Sequence, residues 1–129
     1  AKALYHGHSY TANPLGCAAG VASFRLLSEN EDSFRRIEKI HVDHINRFMN
    51  TDGLGKFRFC GTVAAMDFLG DEGYLSAAGP KLKRFFTERG FLLRPLGNVV
   101  YILPPYCISD EELGMIYEII AEAAVTALI

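Results

Sequence analysis

Apolar and polar positions along this chain sort into helical and extended periods. Between residues 32 and 50, Phe34, Ile37, His41, Ile45 and Phe48 recur at helical spacing, with Arg35, Glu38, Lys39, Asp43 and Asn46 turned away. That pattern predicts an amphipathic helix with one buried stripe, ended by Asp52-Gly53 and Gly55. Ahead of it, Asn13 and Pro14 predict a capped helix reaching about Ser28, because a proline at the first helical position gives up an N–H that has no intrahelical partner there. Gly16, Cys17, Ala18, Ala19, Gly20 and Ala22 keep that helix thin enough for a second backbone to approach.

Strand material follows. Residues 57–59 and 63–69 are rich in aromatic, β-branched and other apolar side chains, with Gly61 between them as a bend or bulge. A polar loop over 70–79 leads to a short helix over 80–89, stopped by Gly90. Two short strands, 91–94 and 99–103, read as a hairpin turning at 95–98. Ser109 and Glu112 match a capping box, with Asp110 and Glu111 at the positive end of the helix dipole. Leu113, Ile116, Ile120 and Ala124 give the last helix its apolar face. The sum is an α+β fold, a small, mostly antiparallel sheet covered by helices. Its core draws on Phe34, Ile37, Phe48, Val63, Phe68, Phe85, Leu93, Ile102, Ile116 and Ile120.

Composition supports this reading. With 129 residues, half of them hydrophobic, the chain can bury a sizeable core. The net charge is −2, from 13 basic and 15 acidic residues interspersed along the chain, so no basic patch points to nucleic acid. No signal peptide or membrane-spanning apolar run is apparent. Cys17, Cys60 and Cys107 are odd in number and far apart, which fits reduced thiols in a cytoplasmic protein. The chain meets its densest polar loop within a few residues of Ala1, and so reads as a piece of something longer.

That loop, YHGHSYTANPLGCAA over residues 5–19, is where chemistry concentrates. His6 and His8 could share a face, and His41 and His44 stand three apart on a helix, so a histidine metal site is one reading. Against it, His41 lies in the apolar stripe, and no cysteine or carboxylate is spaced to help. An anion cradle is the second reading: Gly7 frees the backbone, Ser9, Tyr10 and Thr11 bring hydroxyls, His8 a further donor, and a helix begins at once. A surface loop with a good cap would use the same residues.

The order HG-H-S-Y-T-A-NPLGCAA, followed by FLLRPLGNVVYILPPY over residues 91–106, resembles the C-terminal part of the class III aminotransferases, which use pyridoxal 5'-phosphate. The resemblance covers essentially the whole chain. It implies that residues 14–129 form the C-terminal small domain of a fold-type I transferase. Residues 1–13 would be the cofactor-phosphate loop and a linker from a large domain lying upstream. The second segment is similar, more narrowly, to the branch of the family acting in biotin biosynthesis. There S-adenosylmethionine donates an amino group to 8-amino-7-oxononanoate, giving 7,8-diaminononanoate, and the enzyme is a homodimer. An ornithine-type ω-aminotransferase and a non-catalytic anion-binding module are the alternatives.

Carried over by position, the resemblance implies that His8 and Ser9 contact the cofactor phosphate across the dimer interface, His8 through its backbone. Gly7 would lie against the substrate. Arg94 would pair with the substrate carboxylate through its planar fork, held and partly buried between an apolar run and a proline turn. Tyr101, in the second part of the same motif, would either line the site or pack in the core. The Schiff-base lysine is expected upstream: Lys2, Lys39, Lys56, Lys81 and Lys83 do not match its position. No catalytic residue and no metal site is assigned to this chain, and the fragment alone is expected to be inactive.

Overall fold

The computed structural model describes residues 6–70, 73 and 75–126. Part of the polar loop over 70–79 and the first five residues of the loop-and-linker segment lie outside these. The chain forms two compact units, Ala1–Glu31 and Asp32–Ile129.

The first unit is a turn-rich loop followed by helix α1 (Pro14–Glu29). Asn13 caps it as expected: its side-chain oxygen accepts from the Gly16 N–H at 3.0 Å, and Pro14 takes the first helical position. No residue of α1 is buried.

The second unit begins with α2 (Glu31–Phe48), whose Ile37, His41 and Phe48 are buried along the expected stripe. Strands β1 (Leu54–Cys60), β2 (Val63–Phe68) and β3 (Val99–Ile102) form an antiparallel sheet in the order β1-β2-β3. Helices α3 (Ala78–Glu88) and α4 (Asp110–Thr126) complete the unit. Alternation along the strands puts Ala64, Met66, Phe68, Val100 and Ile102 on one face, where they join buried residues of α2, α3 and α4 in a single core. The fold is α+β, with a small antiparallel sheet and helices against one face.

Gly61 is neither a bend inside a strand nor a bulge. At φ +55° it begins the two-residue loop between the paired Cys60 and Val63. The irregularity of β1 lies instead between Gly55 and Arg58, where Lys56 takes φ +48°.

The expected strand over 91–94 does not form. Phe91 and Leu93 pack against the core and Leu92 is fully outward, so the alternation of a strand is present, but only Leu96 bridges to Val99. Period-two alternation records which way side chains face, whereas a ladder also needs a partner backbone at the right distance. Here the turn is drawn toward β2 instead, as the Asn98 carbonyl accepts from the Phe68 N–H at 2.8 Å.

The capping box of α4 is reciprocal: the Ser109 N–H donates to Glu112 Oε2 at 2.9 Å and the Glu112 N–H to Ser109 Oγ at 3.1 Å. The Ser109 N–H, and after it the Ser109 hydroxyl, hold the Glu112 carboxyl below its usual range. Of the residues expected in the core, Phe34, Val63, Leu93 and Ile116 are only half-buried. Val63 points to the face of the sheet away from the helices, and Phe34 stacks edge-on against Tyr106 with ring centroids 4.5 Å apart. Leu82, Phe86, Val100 and Tyr117 take the deep positions.

Candidate functional site

The loop of the first unit is tied by short-range bonds. The His8 N–H donates to Thr11 Oγ1 at 3.0 Å, the Thr11 N–H returns to the His8 carbonyl, and the Tyr10 N–H donates to His8 Nδ1 at 3.1 Å. The Asn13 N–H closes the next turn onto the Tyr10 carbonyl. His8 therefore spends its backbone donor and one ring nitrogen on the loop itself. With Nδ1 accepting, a neutral ring carries its proton on Nε2, which is left as a donor. Among the described residues Ser9 has no hydrogen-bond partner for its N–H or its hydroxyl, and the residue is exposed. At Gly7 an added Cβ would meet no atom of this chain within 4 Å.

The four histidines divide between the units. His6 and His8 contact edge-on, with centroids 5.2 Å apart. His41 is wholly buried, with Nε2 3.1 Å from the Thr62 carbonyl and Nδ1 2.8 Å from the Tyr117 hydroxyl. A carbonyl only accepts, so Nε2 carries the proton and Nδ1 accepts from Tyr117. Both nitrogens are thereby committed to holding α2 against α4 and the β1–β2 loop. Burial pushes the His41 pKa down, partly opposed by the Thr62 carbonyl and aided by nearby His44. His44 stacks on Tyr117 at 4.7 Å, and burial and Arg47 lower its pKa too. Burial also raises the Tyr117 pKa. Among the described residues, no three His, Cys, Asp or Glu side chains gather as a metal would require.

Arg94 and Tyr101 lie in the second unit. Arg94 is exposed rather than partly buried, and among the described residues it pairs with no carboxylate. Arg36, Arg47, Arg58, Arg84 and Arg89 each do, with Asp110, Glu118, Asp67, Glu88 and Glu122 respectively. Arg94 borders an open groove of about 490 Å³ whose lining includes Ser76, Gly79, Pro80, Lys83 and Leu96. Among the described residues no acidic side chain lines it. Tyr101 is half-buried on β3 opposite Ala65, on the face of the sheet away from the core.

Sequence reasoning treated the 95–98 turn as a connection only. It is in fact a packed part of the groove wall. Gly97, at φ +61°, has the backbone that a tight hairpin loop reserves for glycine, and a Cβ at Gly79 would come within 3.1 Å of the Gly97 carbonyl. Asn98 is 3% exposed and bonds through its whole amide. The Gly-Asn pair was the available signal, but it reads equally well as a solvated turn.

Comparison with known proteins places these features. Residues 1–124 match the family model described as aminotransferase class-III. Adenosylmethionine-8-amino-7-oxononanoate aminotransferase of Synechococcus elongatus is 45% identical over 120 residues, covering 92% of this chain and 28% of that protein. The protein of the same name from Geobacter sulfurreducens is 30% identical over 125 residues, with 91% and 28% covered. The crystal structure of the Methanocaldococcus jannaschii protein of that name superposes with a TM-score of 0.83 at 27% identity, covering 98% of this chain and 31% of that one. The chain thus spans under a third of the length of these relatives. Over the part that it spans, it belongs to the class III aminotransferases.

Proposed function

We propose that this chain is the C-terminal part of a pyridoxal 5'-phosphate aminotransferase of biotin biosynthesis, which moves an amino group from S-adenosylmethionine to 8-amino-7-oxononanoate. The observation that carries the reading is Arg94. It is exposed, and among the described residues it has no ion-pair partner and its groove no acidic lining, within a segment like that of relatives whose names specify this oxononanoate. A planar fork of donors suits the carboxylate of that substrate. Tyr101, half-buried on the sheet, is the second substrate-facing residue.

Residues 1–13 act in this reading as the cofactor-phosphate loop and linker, and 14–129 as the small domain. The loop fits a phosphate through the Ser9 hydroxyl and N–H. His8 contributes chiefly by shaping the turn, because its own N–H is engaged by Thr11. Its Nε2 remains as a further donor. Gly7 leaves room beside the loop, where a side chain would stand in open space. Bound pyridoxal phosphate would supply the electron sink for amino transfer, held by a lysine upstream of this chain. The residues here anchor the phosphate and the substrate carboxylate, and a homodimer would bring the loop to its partner's site.

The test is amino transfer by the protein that includes the lysine-bearing part, followed by mass spectrometry with S-adenosylmethionine and 8-amino-7-oxononanoate. Formation of 7,8-diaminononanoate is expected. Transfer to ornithine-type substrates alone would replace this reading with the ω-aminotransferase one. The 129-residue chain by itself should neither transfer the group nor bind pyridoxal phosphate at one stoichiometric lysine fixed by borohydride. Such a lysine would contradict the assignment of the catalytic lysine to an upstream segment.

A further inference from the structure

We infer that Asn98 is the positioning residue for Arg94, fixing the backbone from which the guanidinium reaches its carboxylate. The inference rests on the reading of Arg94 just given. Asn98 sits at a turn, where asparagine is ordinarily solvated, yet it is 3% exposed. Its Oδ1 accepts from the Gly73 N–H at 2.9 Å, and its Nδ2 donates to the Phe68 carbonyl at 3.0 Å. Its backbone carbonyl accepts from the Phe68 N–H at 2.8 Å. The neighbouring Leu96 and Val99 exchange two backbone bonds, of 2.8 and 3.1 Å. One amide therefore joins the turn to the end of β2 and to the loop after it.

Both walls of the Arg94 groove depend on that junction. Arg94 and Leu96 line one side, and the other side includes Ser76, which is bonded to Gly73, itself bonded to Asn98. The Gly73 carbonyl accepts from the Ser76 N–H at 3.1 Å. The close approach of Gly79 to Gly97 supports the turn from α3. Among the described residues the Arg94 guanidinium has no hydrogen bond or ion pair to orient it. Only Leu96 and Pro95, whose ring restricts φ, separate it from the turn, so its root inherits the turn's position. A long side chain can present two parallel donors to a carboxylate only if its root is held to within about 0.5 Å. Asparagine suits the task because a single planar group supplies one acceptor and one donor in fixed relation.

The test uses the protein with its lysine-bearing part, and measures steady-state kinetics with 8-amino-7-oxononanoate for Asn98→Ala, Arg94→Ala and the double variant. Asn98→Ala should raise KM for this substrate about tenfold while leaving kcat nearly unchanged. In the Arg94→Ala background the same change should alter KM by less than about twofold, since the interaction it served is already gone. The loss of melting temperature should be equal in both backgrounds. A KM effect that multiplies independently of Arg94, or no KM effect at all, would overturn the inference and leave the reading of Arg94 intact. An unchanged KM in Arg94→Ala alone would overturn both. If Asn98→Ala does not fold, Asn98→Ser, whose hydroxyl can serve either partner, carries the same comparison. Failure of both to fold would make Asn98 a folding determinant and overturn its assignment as a positioning residue.

Discussion

Helices α1 and α4 are of nearly equal length and both are rich in apolar residues, yet they end up in opposite situations. In α4, Leu113, Tyr117, Ile120 and Ala123 are buried in the core of the second unit. In α1, Leu15 is 82% exposed and Phe24 70%, and no side chain of the helix is buried. Arg25 is its one charged residue before Glu29. A helix apolar on several sides is built for burial on several sides, and its own unit does not provide that. The loop before it is similar in kind, with the Ser9 donors unspent. In the second unit, by contrast, His41 and Asn98 are buried with partners for their polar groups, and most of the arginines find carboxylates, although the buried His44 Nδ1 has no partner among the described residues. Arg35 and Arg94 have no carboxylate partner among the described residues, and of these two Arg94 borders the groove and lies in the motif, which is why it carries the functional reading.

The sharpest way to break this contrast is to cut both regions alike. Phe86, wholly buried, should cost about 3–5 kcal/mol when changed to Ala, by lost burial and a residual cavity. Phe24→Ala, in the same isolated chain, should stay within about 0.5 kcal/mol. Urea unfolding measures both, and equal losses would erase the distinction. Next in size is Tyr117→Phe, which removes the donor to the buried His41 Nδ1 and should cost about 1–3 kcal/mol.

Acidification probes the same cluster. The folded pKa values of His41 and His44 lie below 6.5, so the unfolded chain takes up protons first as pH falls. Their stabilisation is complete above pH 6.5 and is lost as pH drops through the folded values, by up to about tenfold in the unfolding equilibrium per pH unit for each histidine. Asp43, Arg47 and Glu118 surround His44, the first and last opposing its shift. A variant with His41→Gln should show a shallower pH dependence, and an unchanged slope would sink the account of His41. The smallest effect is at the cap of α4, where Ser109→Ala should cost about 1 kcal/mol, read as a lower melting temperature.

Much of this was legible because it is local. Asn13-Pro14 and Ser109 with Glu112 need no partner beyond their own helix turn, and their bonds form as the spacing predicts. The stripe of α2 was equally legible, including the place of His41 within it. Tyr117 as its second partner lies 76 residues away and leaves no mark in the periodicity. The segment 91–95 has a strand's alternation without a ladder, since pairing depends on where another backbone ends up. Likewise the approach of α3 to the turn at Gly97, and the burial of Asn98, come from packing between distant elements. Arg94 was found through its motif, and its exposure within this unit is something the motif does not encode.

The most direct test of the account is the response of Arg94→Ala in the protein with its lysine-bearing part in place. A carboxylate remote from the reacting carbonyl keeps its charge throughout the reaction, so its pairing stabilises ground state and transition state alike. KM for 8-amino-7-oxononanoate should rise much more than kcat falls, by the equivalent of about 2–5 kcal/mol if the bound pair is desolvated. Arg94→Lys should recover only part of this, because a point charge cannot reproduce the fork. Kinetics of the keto substrate left unchanged by Arg94→Ala would contradict the account.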